Sequence, residues 1–286
     1  MAIKTILVPL EGGETGTSVL DIALVATRTS GAHLVVLHVK ADPREMFPFI
    51  AEPATAGSVE LVIEAAERSA NELAARARGL FDEFCRNAGV TVAEGPDVAG
   101  GMFAAWHEEV GLAGEVVARR GRLADLIVVA RPGERDAAPV ILESALMDSG
   151  RPILVVPPTA GKTLGGNVAV AWNDSPQAAR AVAAALPFLS TAGKVTVLTV
   201  KGREEAPASP RELSAYLAWH GVRASIKTIT AGAKDVGAAL LAEAQGTGAD
   251  LLVMGGYGHS RMREVILGGV THHVLSATTI PVLMMH

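Results

Sequence analysis

The chain has 286 residues, 25 Lys and Arg against 30 Asp and Glu, and a net charge of −5 with no basic block, which excludes a nucleic-acid-binding surface. Hydrophobic residues at 49% and 30 glycines exclude a disordered chain and suit buried strands joined by glycine-rich turns. The single cysteine, Cys85, excludes an internal disulfide framework and a cysteine-based zinc site, and at roughly 150 residues per domain the length predicts two domains.

The first predicted element is a strand at Thr5-Ile6-Leu7-Val8-Pro9. The opening residues are interrupted too soon for a signal peptide, and no apolar run approaches the roughly 20 residues that span a bilayer. A soluble cytoplasmic protein with no membrane partner is expected. A second strand is predicted at His33-Leu34-Val35-Val36-Leu37-His38-Val39-Lys40. Segment 42–57, with Pro43, Pro48 and Pro53, reads as irregular loop. Next comes a long helix near 58–88. Its apolar stripe of Val59, Val62, Ile63, Ala66, Ala70, Leu73, Ala77, Leu80 and Phe84 is expected to face the core. Cys85, near the end of that helix, reads as packed rather than reactive. His107-Glu108-Glu109 reads as an exposed helix face. Strands at Ala124-Asp125-Leu126-Ile127-Val128-Val129 and Arg151-Pro152-Ile153-Leu154-Val155-Val156 close this part. Pro157-Pro158 then stops the last strand, and Gly161, Gly165 and Gly166 allow a reversal.

Beyond the reversal the same pattern recurs. Asn167-Val168-Ala169-Val170-Ala171 matches 5–9, and Lys194-Val195-Thr196-Val197-Leu198-Thr199-Val200-Lys201 matches 33–40. Ala249-Asp250-Leu251-Leu252-Val253-Met254 matches 124–129. Without a gap, Val265-Ile266-Leu267 then falls on Val140-Ile141-Leu142. Ile280-Pro281-Val282-Leu283-Met284-Met285 falls on 151–156. Four matches in one order are a duplicated domain, with boundaries at 1–158, a linker at 159–164, and 165–286. In the second copy, strands are predicted near 167–172, 194–200, 224–230, 250–255 and 281–285. Helices fall near 175–190, 209–221, 234–247 and 269–278. Asp174-Ser175-Pro176 supplies a capping side chain and then proline. Short Val, Ile and Leu runs alternating with helices predict an α/β fold of two Rossmann-like domains, each an open five-stranded parallel sheet flanked by helices.

The fourth strand of the second copy leads into Gly255-x2-Gly258-x9-Gly268-Gly269 and then a helix. Glycine permits positive φ and lets backbone N–H groups approach an anion closely. A helix opening at Gly268-Gly269 aims free N–H groups and its positive dipole end at that anion. Ligands of open α/β sheets bind beyond the carboxyl ends of the strands, which this loop leaves.

With Asn173 after the first strand and Ile280-Pro281-Val282-Leu283-Met284 at the end, this loop resembles the universal stress protein family, twice over nearly the whole chain. The resemblance implies the adenine nucleotide alpha hydrolase-like form of the fold and a role in the stress response. It also implies ATP or a related adenine nucleotide, with or without Mg2+, in the second copy. Gly255, Gly258 and Gly268 match the family's phosphate-binding glycines. Gly269 stands where the family has serine or threonine, and Val270 and Thr271 come next, Thr271 offering a substitute hydroxyl. Asn173 stands in place of the family's aspartate near adenine and ribose, and its amide keeps the hydrogen bonding while losing a charge. Val200 and Met254 hold the strand ends on which adenine rests. Ala171 and Trp172 end the first strand beside them, and His259 lies inside the loop as a donor to phosphate. The resemblance further implies pairing of the two copies through their last strands. A monomer and a homodimer of tandems are both compatible with that.

The first copy has Ala130, Gly133, Glu143 and Ser144 opposite Gly255, Gly258, Gly268 and Gly269. A carboxylate at Glu143 opposes phosphate, although Arg131 and Arg135 counter it. The first copy is therefore expected to be structural or partner-binding. Gly161-Lys162-Thr163 is not a P-loop, since position 156 is valine, and Gly-x-Ser-x-Gly is absent. His272 and His273 point about 100° apart on a helix and do not share a metal; one is expected to face solvent and one the packed face. No catalytic and no metal-binding residue is expected. The rival readings are a nucleotide-free interaction module and a slow ATP hydrolase using Asp174 or Glu264.

Overall fold

The computed structural model describes residues 2–13, 15–42, 56–95, 101–131, 140–201, 210–232, 235–257 and 269–286, with side chains of the long helix from residue 60 onward. In the first half, strands β1 (Thr5–Pro9), β2 (His33–Lys40), β3 (Thr91–Val92), β4 (Phe103–Val110), β5 (Leu126–Ala130) and β6 (Ile153–Val156) alternate with helices α1 (Gly16–Ser30), α2 (Ala56–Ala88), α3 (Ala113–Gly121) and α4 (Val140–Asp148). The second half has β7 (Asn167–Ala171), β8 (Lys194–Val200), β9 (Ala224–Ile229), β10 (Leu251–Gly255) and β11 (Val282–Met285), with α5 (Pro176–Leu189), α6 (Pro210–Trp219), α7 (Val236–Gly246) and α8 (Gly269–Ala277).

The described strands form one sheet in the order β3-β4-β2-β1-β5-β6-β11-β10-β7-β8-β9. Each half is parallel and repeats the same doubly wound order, and the two halves meet where β6 and β11 pair antiparallel. There Val282 lies opposite Val155, Leu283 opposite Leu154 and Met284 opposite Ile153, all six fully buried. Under the repeat, Leu154 and Leu283 are the same residue, so a local two-fold passes between them and the contact is self-complementary. At about 1.5–3 kcal/mol per fully buried aliphatic side chain, these six residues form a strong hydrophobic seam. The flanking helices sort by face. Helices α1, α2, α5 and α6 cover one continuous core, and α3, α4, α7 and α8 cover the other. Both cores run across the seam.

Local chemistry explains the elements. The strands read as unbroken apolar runs because both faces are covered, as in β5, β6 and β10. Ser175 caps α5 by accepting the Ala178 N–H at 3.1 Å, and Pro176 sits next, where no amide is needed. Asp125 and Asp250, equivalent under the repeat, do the same work in each half. Asp125 accepts the backbone N–H groups of Lys4 and Thr5 at 2.8 and 3.1 Å. Asp250 accepts those of Gly166 and Asn167 at 3.1 and 3.0 Å. Each carboxylate thus fastens the start of the first strand to the strand beside it. Ser149 and Thr278 are a second repeated device, accepting the N–H groups of Arg151 and Ile280 at 3.1 and 3.2 Å before the last strands.

Three expectations change. The first half carries an additional two-residue strand, β3, parallel to β4 at the edge, so it has six strands rather than five. His107-Glu108-Glu109 lies on strand β4, not on a helix. The stripe of α2 faces the core only in its second part, where Ala70, Ala77, Phe81 and Phe84 are buried, while Leu61 and Val62 are 65% and 53% exposed. Length is the reason. A helix of 33 residues is about 50 Å long at 1.5 Å per residue, whereas strands of five to eight residues span roughly 17–27 Å. Cys85 is buried, and burial, with Asp82 adding to it, pushes the thiol up to about 11. Among the described residues no helix is long and apolar enough to cross a membrane.

Removing the Asp250 carboxylate leaves two strand-end N–H groups without their charged acceptor. Asp250→Ala should lower unfolding free energy by about 2 kcal/mol in urea titrations, with Asp125→Ala costing a similar amount.

Candidate functional site

In the second half the connections leave β7 first toward β8 and β9 and later toward β10 and β11. The strand order therefore reverses between β7 and β10, and a crevice opens at their carboxyl ends. Into it lead the turn after β7, the end of β8, the first residues after β10 and the first turn of α8. Gly258, His259 and Gly268 lie outside the described residues.

The remaining candidates fall into distinct places. Ala171, Val200, Met254 and Val270 belong to the core on the α7–α8 face, together with Tyr257. Gly269 opens α8 with nothing packed against it. Asn173 is exposed, and its Oδ1 accepts from the Ser175 hydroxyl at 2.8 Å and from the Ser175 N–H at 3.3 Å. The carbonyl end of the amide is thus committed to the turn, which leaves the Nδ2 donors for a ligand. Asp174 beside it holds φ of 60°.

Two candidates stand away from this group. Trp172 is one residue beyond Ala171 and so packs on the opposite face, in the α1–α5 core, with its Nε1 buried and without a partner among the described residues. Thr271 is only 5% exposed and shares the packed side of α8 with Val274 and Leu275. Its place is in the core rather than as a replacement for the missing hydroxyl at Gly269. His272 and His273 are both exposed, with His273 lying over Gly237 of α7.

Gly255 proves to be glycine for a packing reason. A Cβ there would sit 2.7 Å from the Ala178 nitrogen and 2.9 Å from the Gln177 carbonyl carbon, because the first turn of α5 lies directly on it. Positive φ falls instead on Tyr257, at 54°, a left-handed conformation that is uncommon for a bulky residue. The Tyr257 ring is tucked against the core, and its hydroxyl is buried without a partner among the described residues. Burial first, and the charge of Glu143 second, push this phenol up to about 12.

Glu143 belongs to the other half, so the seam brings the halves together at the crevice itself. The end of α4 rests on the loop after β10, where a Cβ on Gly256 would meet Leu146 at 2.9 Å. Reciprocally, Arg131 at the end of β5 donates to the Ser276 carbonyl in the last turn of α8, a favourable place for a cation. That guanidinium is held by the other half's helix, with Nε buried and without a partner among the described residues. Gly133, Arg135 and Glu264 lie outside the described residues.

At the counterpart place the first half is packed by α2. A Cβ on Gly12, whose φ is 78°, would lie 2.7 Å from the Leu73 carbonyl oxygen, so α2 lies on the turn after β1. Lys40 at the end of β2 donates to Asn71 Oδ1 of α2 at 2.5 Å. His38 is buried, with Nδ1 2.8 Å from the Leu10 carbonyl.

A family model described as the universal stress protein family matches residues 2–148 and again residues 166–286. No curated protein matches. Among solved structures, a universal stress protein from Archaeoglobus fulgidus DSM 4304 shares 17% identity over 98% of this chain and 97% of its own, with a TM-score of 0.63. A putative universal stress protein from Pseudomonas aeruginosa UCBPP-PA14 shares 16% over 99% and 93%, with a TM-score of 0.57. A universal stress protein in complex with cAMP aligns with 55% of this chain and 99% of its own at 19% identity, with a TM-score of 0.32.

The loop geometry has two testable outcomes. Gly255→Ala should lower stability by about 1–3 kcal/mol, seen in urea unfolding, because the α5 backbone must move. For Tyr257 the folded-state value lies above the ordinary value of 10.0, so folding favours the neutral phenol. Its contribution is fully present below pH 10 and is lost as pH rises from 10 to about 12. Urea unfolding at pH 9 and pH 11 should show a smaller loss for Tyr257→Phe than for the native chain.

Proposed function

The chain belongs to the universal stress protein family as a tandem member, and on that premise we propose that its second half binds an adenine nucleotide, ATP foremost, as a regulatory ligand. The observation that carries this reading is the reversal of strand order between β7 and β10, where the apolar strand ends Ala171, Val200 and Met254 lie on one face and would form the floor of a site before α8. In this reading adenine lies on that floor and Asn173 Nδ2 donates to base or ribose. The phosphates lie on the backbone N–H groups of the loop through Gly258 and Gly268 and at the amino end of α8, where the helix dipole favours negative charge. His259 donates to a phosphate oxygen.

The donor set suits a nucleotide held by neutral amides. Among the described residues no cluster of three acidic, histidine or cysteine side chains could hold a metal ion, so any Mg2+ would arrive on the phosphates. The ligand is bound rather than turned over in this proposal, and its occupancy biases the contacts of the loop with α4 of the first half. That half, its crevice covered by α2, acts as the fixed support. A role in responding to stress, and a place in the cytoplasm, belong to the same proposal.

Calorimetric titration of nucleotide-stripped protein with ATP and Mg2+ tests it, and the expected stoichiometry is one site per chain. Gly268→Asp should abolish the heat of binding while leaving the melting temperature unchanged. Failure of the native chain to take up ATP, ADP, AMP or cAMP would instead favour a nucleotide-free interaction module. Turnover that disappears in Asp174→Ala would favour a hydrolase.

A further inference from the structure

The two halves differ on the sheet face beneath α3 and α7. In the second half Lys227, which pairs with Leu198 in the sheet, makes an ion pair with Glu243 of α7. The link runs from the outer strand to the helix across the sheet face. The first half has His107 in the place of Lys227, opposite Leu37, and Ala118 in the place of Glu243. No such link forms there, and a cavity of about 180 Å3 lies between the sheet and the end of α3.

Its lining is divided. Leu7, Val35 and Leu37 from β1 and β2 are apolar, with Leu7 and Leu37 almost fully buried. Thr5, His107 and Arg120 add polar groups. Arg120 and its neighbour Arg119 both donate to the one carboxylate of Glu109. Burial alone would raise Glu109, but the hydrogen bonds from Arg120 and Arg119 outweigh it and hold this carboxyl below its ordinary value. Two guanidiniums on one ionised carboxylate leave an excess positive charge beside the cavity. An apolar space near 150 Å3 is large enough for benzene, and the polar groups here favour a ligand that ends in an anion.

We propose that this cavity is a binding site for a compact monocarboxylate with an apolar ring or branched body. The body lies on Leu7, Val35 and Leu37, and the carboxylate meets Arg120 and His107. The site lies within the first half, away from the β7–β10 crevice, and does not depend on nucleotide binding there.

Benzoate, with benzyl alcohol as its uncharged counterpart, is the probe, and ligand-observed NMR on the full chain is the measurement. The expected result is saturable benzoate binding at one site per chain. Arg120→Gln, at an exposed position, should weaken benzoate about tenfold and leave benzyl alcohol unchanged. Val35→Phe, which fills the floor, should abolish both. His107→Phe, which crowds the polar side without touching the floor, should do the same if the floor variant fails to fold. No saturable binding at millimolar benzoate, or binding unmoved by both filling variants, overturns the site. Equal effects of Arg120→Gln on both probes overturn the carboxylate assignment.

Discussion

A parallel sheet ends in a strand whose outer N–H and C=O groups lack partners, and in this molecule two such edges satisfy each other. The β6–β11 ladder carries the antiparallel hydrogen bonds and a stack of six buried aliphatic and methionine side chains. An exposed apolar edge of this kind would otherwise recruit other chains. The pairing covers an apolar edge in each half, and both cores cross the junction. The helices beside the seam inherit the two-fold relation. Arg131 reaches α8 from one side while α4 supports the Gly256 loop from the other.

Within that symmetry the copies have diverged where strand ends meet solvent. In the second half the strand order reverses between β7 and β10. In the first half α2 lies on the turn at Gly12 and is tied to β2 through Asn71. The helix that packs on this turn is also the element that extends beyond the sheet. Its leading turns carry Leu61 and Val62 into solvent. On the opposite face the copies differ at single positions, with His107 and Ala118 in place of an ion pair, and a cavity lies beside His107.

Most of the architecture was legible in the sequence because burial on both faces writes strands as unbroken Val, Ile and Leu runs, and because the repeat reads each element twice. The elements that escaped leave weaker traces. Strand β3 is two exposed residues, Thr91 and Val92, with no periodicity to detect. The stripe on α2 records which side of the helix is apolar but not how far the sheet beneath it extends. At the candidate site, Ala171, Val200 and Met254 do share one face, as neighbouring strand ends should, and Val270 of α8 packs on it. Trp172 does not, because a shift of one residue along a strand reverses the side. The packing role of Gly255 and the approach of Glu143 to Tyr257 depend on contacts between distant segments. The carboxylates of Asp125 and Asp250 appeared as part of the repeat, yet only the N–H groups they accept reveal why both copies have them.

The connection between β6 and β7 turns the pairing of the last strands into an event within one molecule. Two separate chains would associate only as far as their concentration allowed, whereas covalent linkage holds the two halves at a high effective concentration. Dilution cannot part the halves. A lesion in one half is not shared by an identical partner, as it would be in a dimer of identical chains, so each copy can be altered alone. Covalent linkage thus frees one copy to diverge while still serving as the scaffold on which the other depends.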